Sequence, residues 1–129
     1  TPDGRAAGDV LGNGITPTNG TARSGPTAVM NSVTKLPIRL VTNGANLNMR
    51  FPGAKIATDN LMALIRTYFA RGGTQVQFNM LDTAVLRAAQ RHPEKYRDLI
   101  VRVSGYSAEF TGLSELAQEE IISRTRYQL

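Results

Sequence analysis

The segment Ser104-Gly105-Tyr106-Ser107-Ala108-Glu109-Phe110 lies between a compact apolar strand, Leu99 to Val103, and a helix that Ser114 can cap. Taken alone, it reads as a turn in which Gly105 supplies a positive φ, a conformation that residues with a Cβ avoid. The usual reactive side chains are scarce. The chain has no cysteine, which excludes disulfides, zinc–thiolate sites and any thiol or thiyl chemistry by this chain alone. His92 is the single histidine, so a histidine metal site and a Ser-His-Asp triad are not expected. Beside Pro93 it reads as a boundary residue between two helices. Arg102 interrupts the apolar strand and needs a partner if buried, because an unpaired buried charge is very costly. It could hold the loop, dock a partner or form a simple ion pair. Two polar rows complete the candidates: Gln75, Gln77 and Asn79 on one strand, Asn46, Asn48 and Arg50 on another. On a sheet buried on both faces they must be hydrogen-bonded and could line a substrate cavity; on an exposed sheet they would be solvated.

The elements that must position these residues follow from periodicity. Leu47, Met49 and Phe51 alternate with Asn46, Asn48 and Arg50, and Val76, Phe78 and Met80 alternate with Gln75, Gln77 and Asn79. Both are strand patterns, and Leu99–Val103 makes about three strands. Leu61, Leu64, Ile65, Tyr68 and Phe69 fall on one face of a helix over 59–71. Thr58 or Asp59 can cap it, and Gly72-Gly73 ends it. Pro26 opens an earlier helix with Ala28, Val29, Val33 and Leu36 as its apolar positions, and Pro37 closes it. Asp82 caps a helix to about Arg91, a short helix begins at Pro93, and Ser114 caps a last one carrying Leu116, Ala117, Ile121 and Ile122. The alternation of helices and strands predicts an α/β architecture. Three strands cannot close a barrel, so the chain is expected to complete a larger one.

The chain has 129 residues, enough for one modest domain. Residues 1–25 hold six of the twelve glycines and lack apolar periodicity. They are expected to lie extended on a larger body or to be disordered. The opening Thr1-Pro2-Asp3-Gly4-Arg5 reads as the middle of a longer polypeptide or the start of a processed subunit. Residues 1–71 carry the whole formal charge of +5, and residues 72–129 are neutral. The basic residues are scattered singly and form no stripe interleaved with aromatics, so nothing points to nucleic acid. No apolar run approaches the ~20 residues that cross a bilayer, and no signal-peptide pattern opens the chain. A cytoplasmic location, with no membrane partner, is the expectation.

Arg102-Val103-Ser104-Gly105-Tyr106-Ser107 resembles the signature of the glycyl radical enzymes. The likeness runs the length of the chain in the family's order. It includes Thr1-Pro2-Asp3-Gly4-Arg5, Gly25-Pro26-Thr27-Ala28-Val29 with Ser32-Val33, and Gly72-Gly73 with Gln75, Gln77, Phe78 and Asn79. Pro93-Glu94-Lys95-Tyr96, Asp98-Leu99, and Ile121-Ile122 with Arg124-Thr125 complete it. Near the loop, Gln75-Val76-Gln77-Phe78-Asn79 and Tyr106-Ser107-Ala108-Glu109-Phe110 look more like the dehydratase, lyase and decarboxylase branch than like pyruvate formate-lyase; the hydrocarbon-succinate synthases are also compatible.

The resemblance implies the C-terminal part of a ten-stranded α/β barrel enzyme, with residues 1–25 packing on the rest of the enzyme and 26–129 forming the glycine radical domain. It implies a radical stored on Gly105, with Arg102, Val103, Ser104, Tyr106 and Ser107 shaping the loop. The chemistry is suited to glycine. With no Cβ the radical carbon becomes planar without steric penalty, while the amide nitrogen donates electron density and the carbonyl withdraws it. A separate radical S-adenosylmethionine activating enzyme, which carries the S-adenosylmethionine and iron–sulfur cluster, removes the hydrogen. The radical then passes to a cysteine. This chain lacks that cysteine, so the resemblance implies a larger cysteine-bearing chain or segment as partner and anaerobic, oxygen-sensitive cleavage of a C–O, C–N or C–C bond. The alternative is an autonomous glycyl radical cofactor that replaces an oxygen-cleaved C-terminus, or a basic binding module whose loop matches by coincidence.

Overall fold

The computed structural model describes residues 2, 4–9, 12–52, 56–124, 126 and 127. Thr1 and Asp3 of the opening motif and Thr125 of the closing one lie outside the described residues. Among the described residues, two small sheets and four helices form a mixed α/β structure. Strand β1 (Leu47–Phe51) pairs in parallel with β2 (Val76–Met80), in register from Leu47↔Val76 to Phe51↔Met80. A parallel pair needs a crossover, and helix α2 (Thr58–Ala70) supplies it. All five residues of β1 are buried, so both of its faces are covered.

The apolar face of β1 builds the first core. Leu47, Met49 and Phe51 pack with Val29, Met30 and Val33 of helix α1 (Gly25–Val33) and with Leu64 and Tyr68 of α2. Burying each such large side chain contributes about 1.5–3 kcal/mol. Helix α2 stops where Gly72 takes a φ of +93° and donates its N–H to the Phe69 carbonyl. Gly73 lies against the Tyr68 ring, where a Cβ would come within 2.4 Å of ring carbons.

The second core joins helix α3 (Thr83–Arg91), an antiparallel hairpin of β3 (Ile100–Arg102) and β4 (Ser107–Glu109), and helix α4 (Glu115–Ser123). Leu86, Ala89, Val101, Phe110, Ile121 and Ile122 fill it. Asp82 caps α3 by accepting from Ala84 N–H, and Ser114 caps α4 by accepting from Ala117 N–H. Arg87 on α3 reaches Glu119 on α4 across the surface, and its hydrogen bond, helped by Gln90, holds the Glu119 carboxyl below the usual carboxylate range.

Arg50 stitches the two cores together. It is 2% exposed, and Nη1 donates to the Ile122 carbonyl at 2.7 Å while Nη2 donates to Thr83 Oγ1 at 2.9 Å. The acceptor at Ile122 is a carbonyl of the last turn of α4, where a cation complements the helix dipole. Burial lowers the Arg50 pKa, with Arg126 and Arg124 adding to the effect and Asp82 opposing it.

Several expectations are corrected. Among the described residues there are four strands rather than about three, because 107–109 is a strand; Ser107-Ala108-Glu109 is too short and too polar to show alternation. Neither Thr58 nor Asp59 caps α2: Ala57 occupies that position, with no side-chain bond. Of the predicted α2 face only Leu64 and Tyr68 are buried, and Phe69 is 46% exposed. A two-stranded sheet is too narrow to cover a 13-residue helix. Helix α1 ends at Val33 and not at Pro37, which precedes a 3-10 turn, Ile38–Leu40, and leaves Leu36 exposed. Leu116 on α4 is 78% exposed. The short helix at Pro93 is a 3-10 turn, Pro93–Lys95, with His92 between it and α3, exposed and 3.8 Å from Glu94.

Candidate functional site

Gly105 sits at the tip of the β3–β4 hairpin. The Val103 N–H donates to the Tyr106 carbonyl at 2.9 Å, so Ser104 and Gly105 form the two central residues of the turn. Gly105 has a φ of +76°, whereas Ser104 is not in the positive-φ region. That is the sign pattern of a type II turn, which asks for glycine at its third position. A Cβ on Gly105 would also lie 3.3 Å from Asn46 Nδ2. Gly105 is exposed in this chain.

Polar groups from three elements hold the stem of this tip. Asn79 on β2 treats Arg102 as a neighbouring strand would: its Oδ1 accepts from the Arg102 N–H at 2.9 Å and its Nδ2 donates to the Arg102 carbonyl at 2.7 Å. Arg124, just past α4 and 7% exposed, donates to the carbonyls of Arg102 at 3.1 Å and Val103 at 2.7 Å. Glu120, one helical turn back, fixes that guanidinium at 2.8 Å. Asn13, from the glycine-rich segment, accepts from Ser104 Oγ at 2.6 Å and from Asn48 Nδ2 at 2.9 Å through one Oδ1. The adjacent Ile15 N–H bonds the Asn46 carbonyl, so this stretch runs along β1 of its own chain.

The Arg102 side chain turns back over the tip. Nε donates to Gln77 Oε1 at 3.0 Å, Nη1 to Ser107 Oγ at 3.2 Å and Nη2 to the Gly105 carbonyl at 3.1 Å. The structure therefore brings together Arg102, Val103, Ser104, Gly105, Ser107, Gln77 and Asn79. Tyr106 contributes its backbone carbonyl and is 54% exposed as a residue. Gln75 stands apart, its Oε1 accepting from the Leu47 N–H at 3.1 Å. Gln75, Gln77, Asn79, Arg102 and Ser107 line an open groove of about 570 Å³. Within the polar layer, Asn48 Oδ1 and Gln77 Nε2 are buried and find no acceptor or donor among the described residues.

Sequence reasoning passed over Asn13, Glu120 and the clamping role of Arg124. Arg124 belonged to the stretch of family likeness, but nothing in its sequence position says that it reaches two carbonyls of another strand. No group of three or more metal-ligating residues is present among the described residues. Nor is any helix among them long and apolar enough to cross a membrane.

The Glycine radical family matches residues 11–111, a span that contains the whole hairpin. A protein named probable dehydratase YbiW, from Escherichia coli strain K12, is 45% identical over 134 residues, covering 100% of this chain and 16% of its own length. Trans-4-hydroxy-L-proline dehydratase of Clostridioides difficile is 43% identical over 129 residues, covering 97% of this chain and 16% of its own length. The glycerol-bound structure of the B12-independent glycerol dehydratase from Clostridium butyricum superposes with a TM-score of 0.92 at 47% identity, covering 100% of this chain and 17% of that one. The chain thus spans about a sixth of the length of the curated relatives it matches. The family's cofactor is a radical on a glycine, installed by a separate activating enzyme. With a matched span that covers most of the chain and contains the glycine turn, and with relatives of 43% and 45% identity over nearly its whole length, this protein belongs to the glycyl radical enzyme family.

Proposed function

We propose that this chain is the radical-bearing part of a larger glycyl radical enzyme and that Gly105 is the glycine that stores the radical. The observation that carries the reading is the hairpin tip: Gly105 has a φ of +76° that residues with a Cβ adopt only at a cost, and its stem is clamped by Asn79 and Arg124. Arg102, Val103, Ser104, Tyr106 and Ser107 shape the tip. Gln75, Gln77 and Asn79 line a cavity that the rest of the enzyme completes. Residues 1–25 lie along the body of the enzyme and 26–129 form the radical domain. In the complete enzyme Gly105 Cα loses one hydrogen atom to a radical S-adenosylmethionine activating enzyme. It regains one from a cysteine thiol on another segment: the S–H bond breaks, the Cα–H bond forms, and the sulfur is left able to take hydrogen from substrate. The dehydratases among the relatives favour cleavage of a C–O bond. The sensitivity of a carbon radical to oxygen calls for an anaerobic setting, and the cytoplasm is the compartment proposed.

The test is electron paramagnetic resonance of the full-length protein after anaerobic activation with its activating enzyme and S-adenosylmethionine. The expected signal is a doublet from the one hydrogen left on Gly105 Cα, collapsing to a singlet when the glycine is deuterated. No doublet, with an activating enzyme proven on another substrate, would reject the reading.

A further inference from the structure

We infer that the Arg102 guanidinium tunes the electronic state of Gly105 through its hydrogen bond to the Gly105 carbonyl, beyond holding the loop. The inference rests on the reading of Gly105 as the radical residue. Its basis is the pattern of acceptors around Arg102. Nη2 donates to the Gly105 carbonyl at 3.1 Å, Nη1 to a serine hydroxyl and Nε to a glutamine amide. All three acceptors are neutral, and no carboxylate pairs with Arg102 among the described residues. An arginine used only to brace a loop gains most from a carboxylate partner. Here no carboxylate cancels the positive charge, and one of its three hydrogen bonds falls on the Gly105 carbonyl oxygen.

That oxygen belongs to the electron-withdrawing half of the pair of groups that would stabilise a radical on Gly105 Cα. A cationic donor on a carbonyl polarises it toward oxygen, and such bonds are roughly twice as strong as neutral ones. Arg102 would therefore draw spin density from Cα toward the carbonyl oxygen and lower the energy of the stored radical. The position is set with care: the Arg102 backbone is held by Asn79 on both sides, and its Nε by Gln77. Arg102 is a positioning and tuning residue in this role. It need touch neither substrate nor thiol.

The experiment uses the full-length enzyme with its activating enzyme and compares wild type with Arg102→Lys, Arg102→Met and Gln77→Leu. The splitting of the doublet scales with spin density on Cα. Arg102→Met should widen it, Arg102→Lys should leave it near the wild-type value, and Gln77→Leu, which frees Nε, should widen it part of the way. Because Arg102 lowers the energy of the stored radical, losing its one charge-assisted bond should favour hydrogen transfer from the thiol and raise kcat up to about tenfold, with KM unchanged. A purely structural role would lower the radical yield without changing the splitting. Should Arg102→Met accept no radical, Gln77→Leu decides: a wider doublet supports the inference and an unchanged one overturns it. A wild-type enzyme without any doublet would reject the assignment of Gly105 itself. A normal wild-type doublet that is equally wide in every variant would reject only the role of Arg102.

Discussion

At the scale of the residue, two independent constraints meet on Gly105. Its φ of +76° is costly for any residue with a Cβ, and that Cβ would also crowd the Asn46 amide at 3.3 Å. Gly105→Ala is therefore expected to disturb the turn and, in the full-length enzyme, to remove the radical signal and activity together. The complementary measurement uses oxygen. Air added to the activated wild-type protein should cut the chain at Gly105, giving a C-terminal fragment of the length that follows that position. The alanine variant should stay intact under the same treatment. Cleavage elsewhere, or of the alanine variant, would place the radical on another residue. The glycine and its turn were legible in the sequence because a positive φ leaves a clear mark on residue choice. The partners of Arg102 were not. Its three acceptors lie on two strands and a turn, and only folding brings Gln77 and Ser107 to the same guanidinium.

At the scale of the element, the hairpin owes its placement to side chains acting as backbone. The β3–β4 hairpin has only three residue pairs, too few to define its own orientation. Asn79 couples it to β2, and Arg124 couples it to the end of α4. Arg124→Met would remove the two carbonyl bonds and leave the half-buried Glu120 without its cation. The expected cost is about 3 kcal/mol, which corresponds to ~100-fold faster local opening. Hydrogen exchange of peptides covering 100–109 in the full-length enzyme checks this. Unchanged protection would show that the hairpin is held from elsewhere. Helix positions and most caps could be read in advance, since Asp82 and Ser114 act within one helical turn of their targets. The faces of α2 and α4 could not. Periodicity marks which residues are apolar, but whether Phe69 and Leu116 are covered depends on the width of what packs against them.

At the scale of the whole molecule, two small cores are joined by one buried arginine and a polar layer. Among the described residues no strand pairs through its backbone with the outer edge of β2, and Ile100, Leu40 and Leu116 are exposed. Two-stranded sheets are marginal alone, so the isolated 129-residue chain should show weak amide protection and bind a hydrophobic dye. The same residues in the full-length enzyme should be well protected. Strong, cooperative protection of the isolated chain would argue that it folds without the rest of the enzyme. From its sequence alone the protein's family likeness, its glycine turn and the order of its helices and first three strands were determined, because each is written in neighbouring residues. The tertiary structure alone decided that Asn13, Asn79 and Arg124 converge on one hairpin. Their contacts join residues that are 21 to 91 positions apart in the chain, and no local pattern encodes separations of that kind.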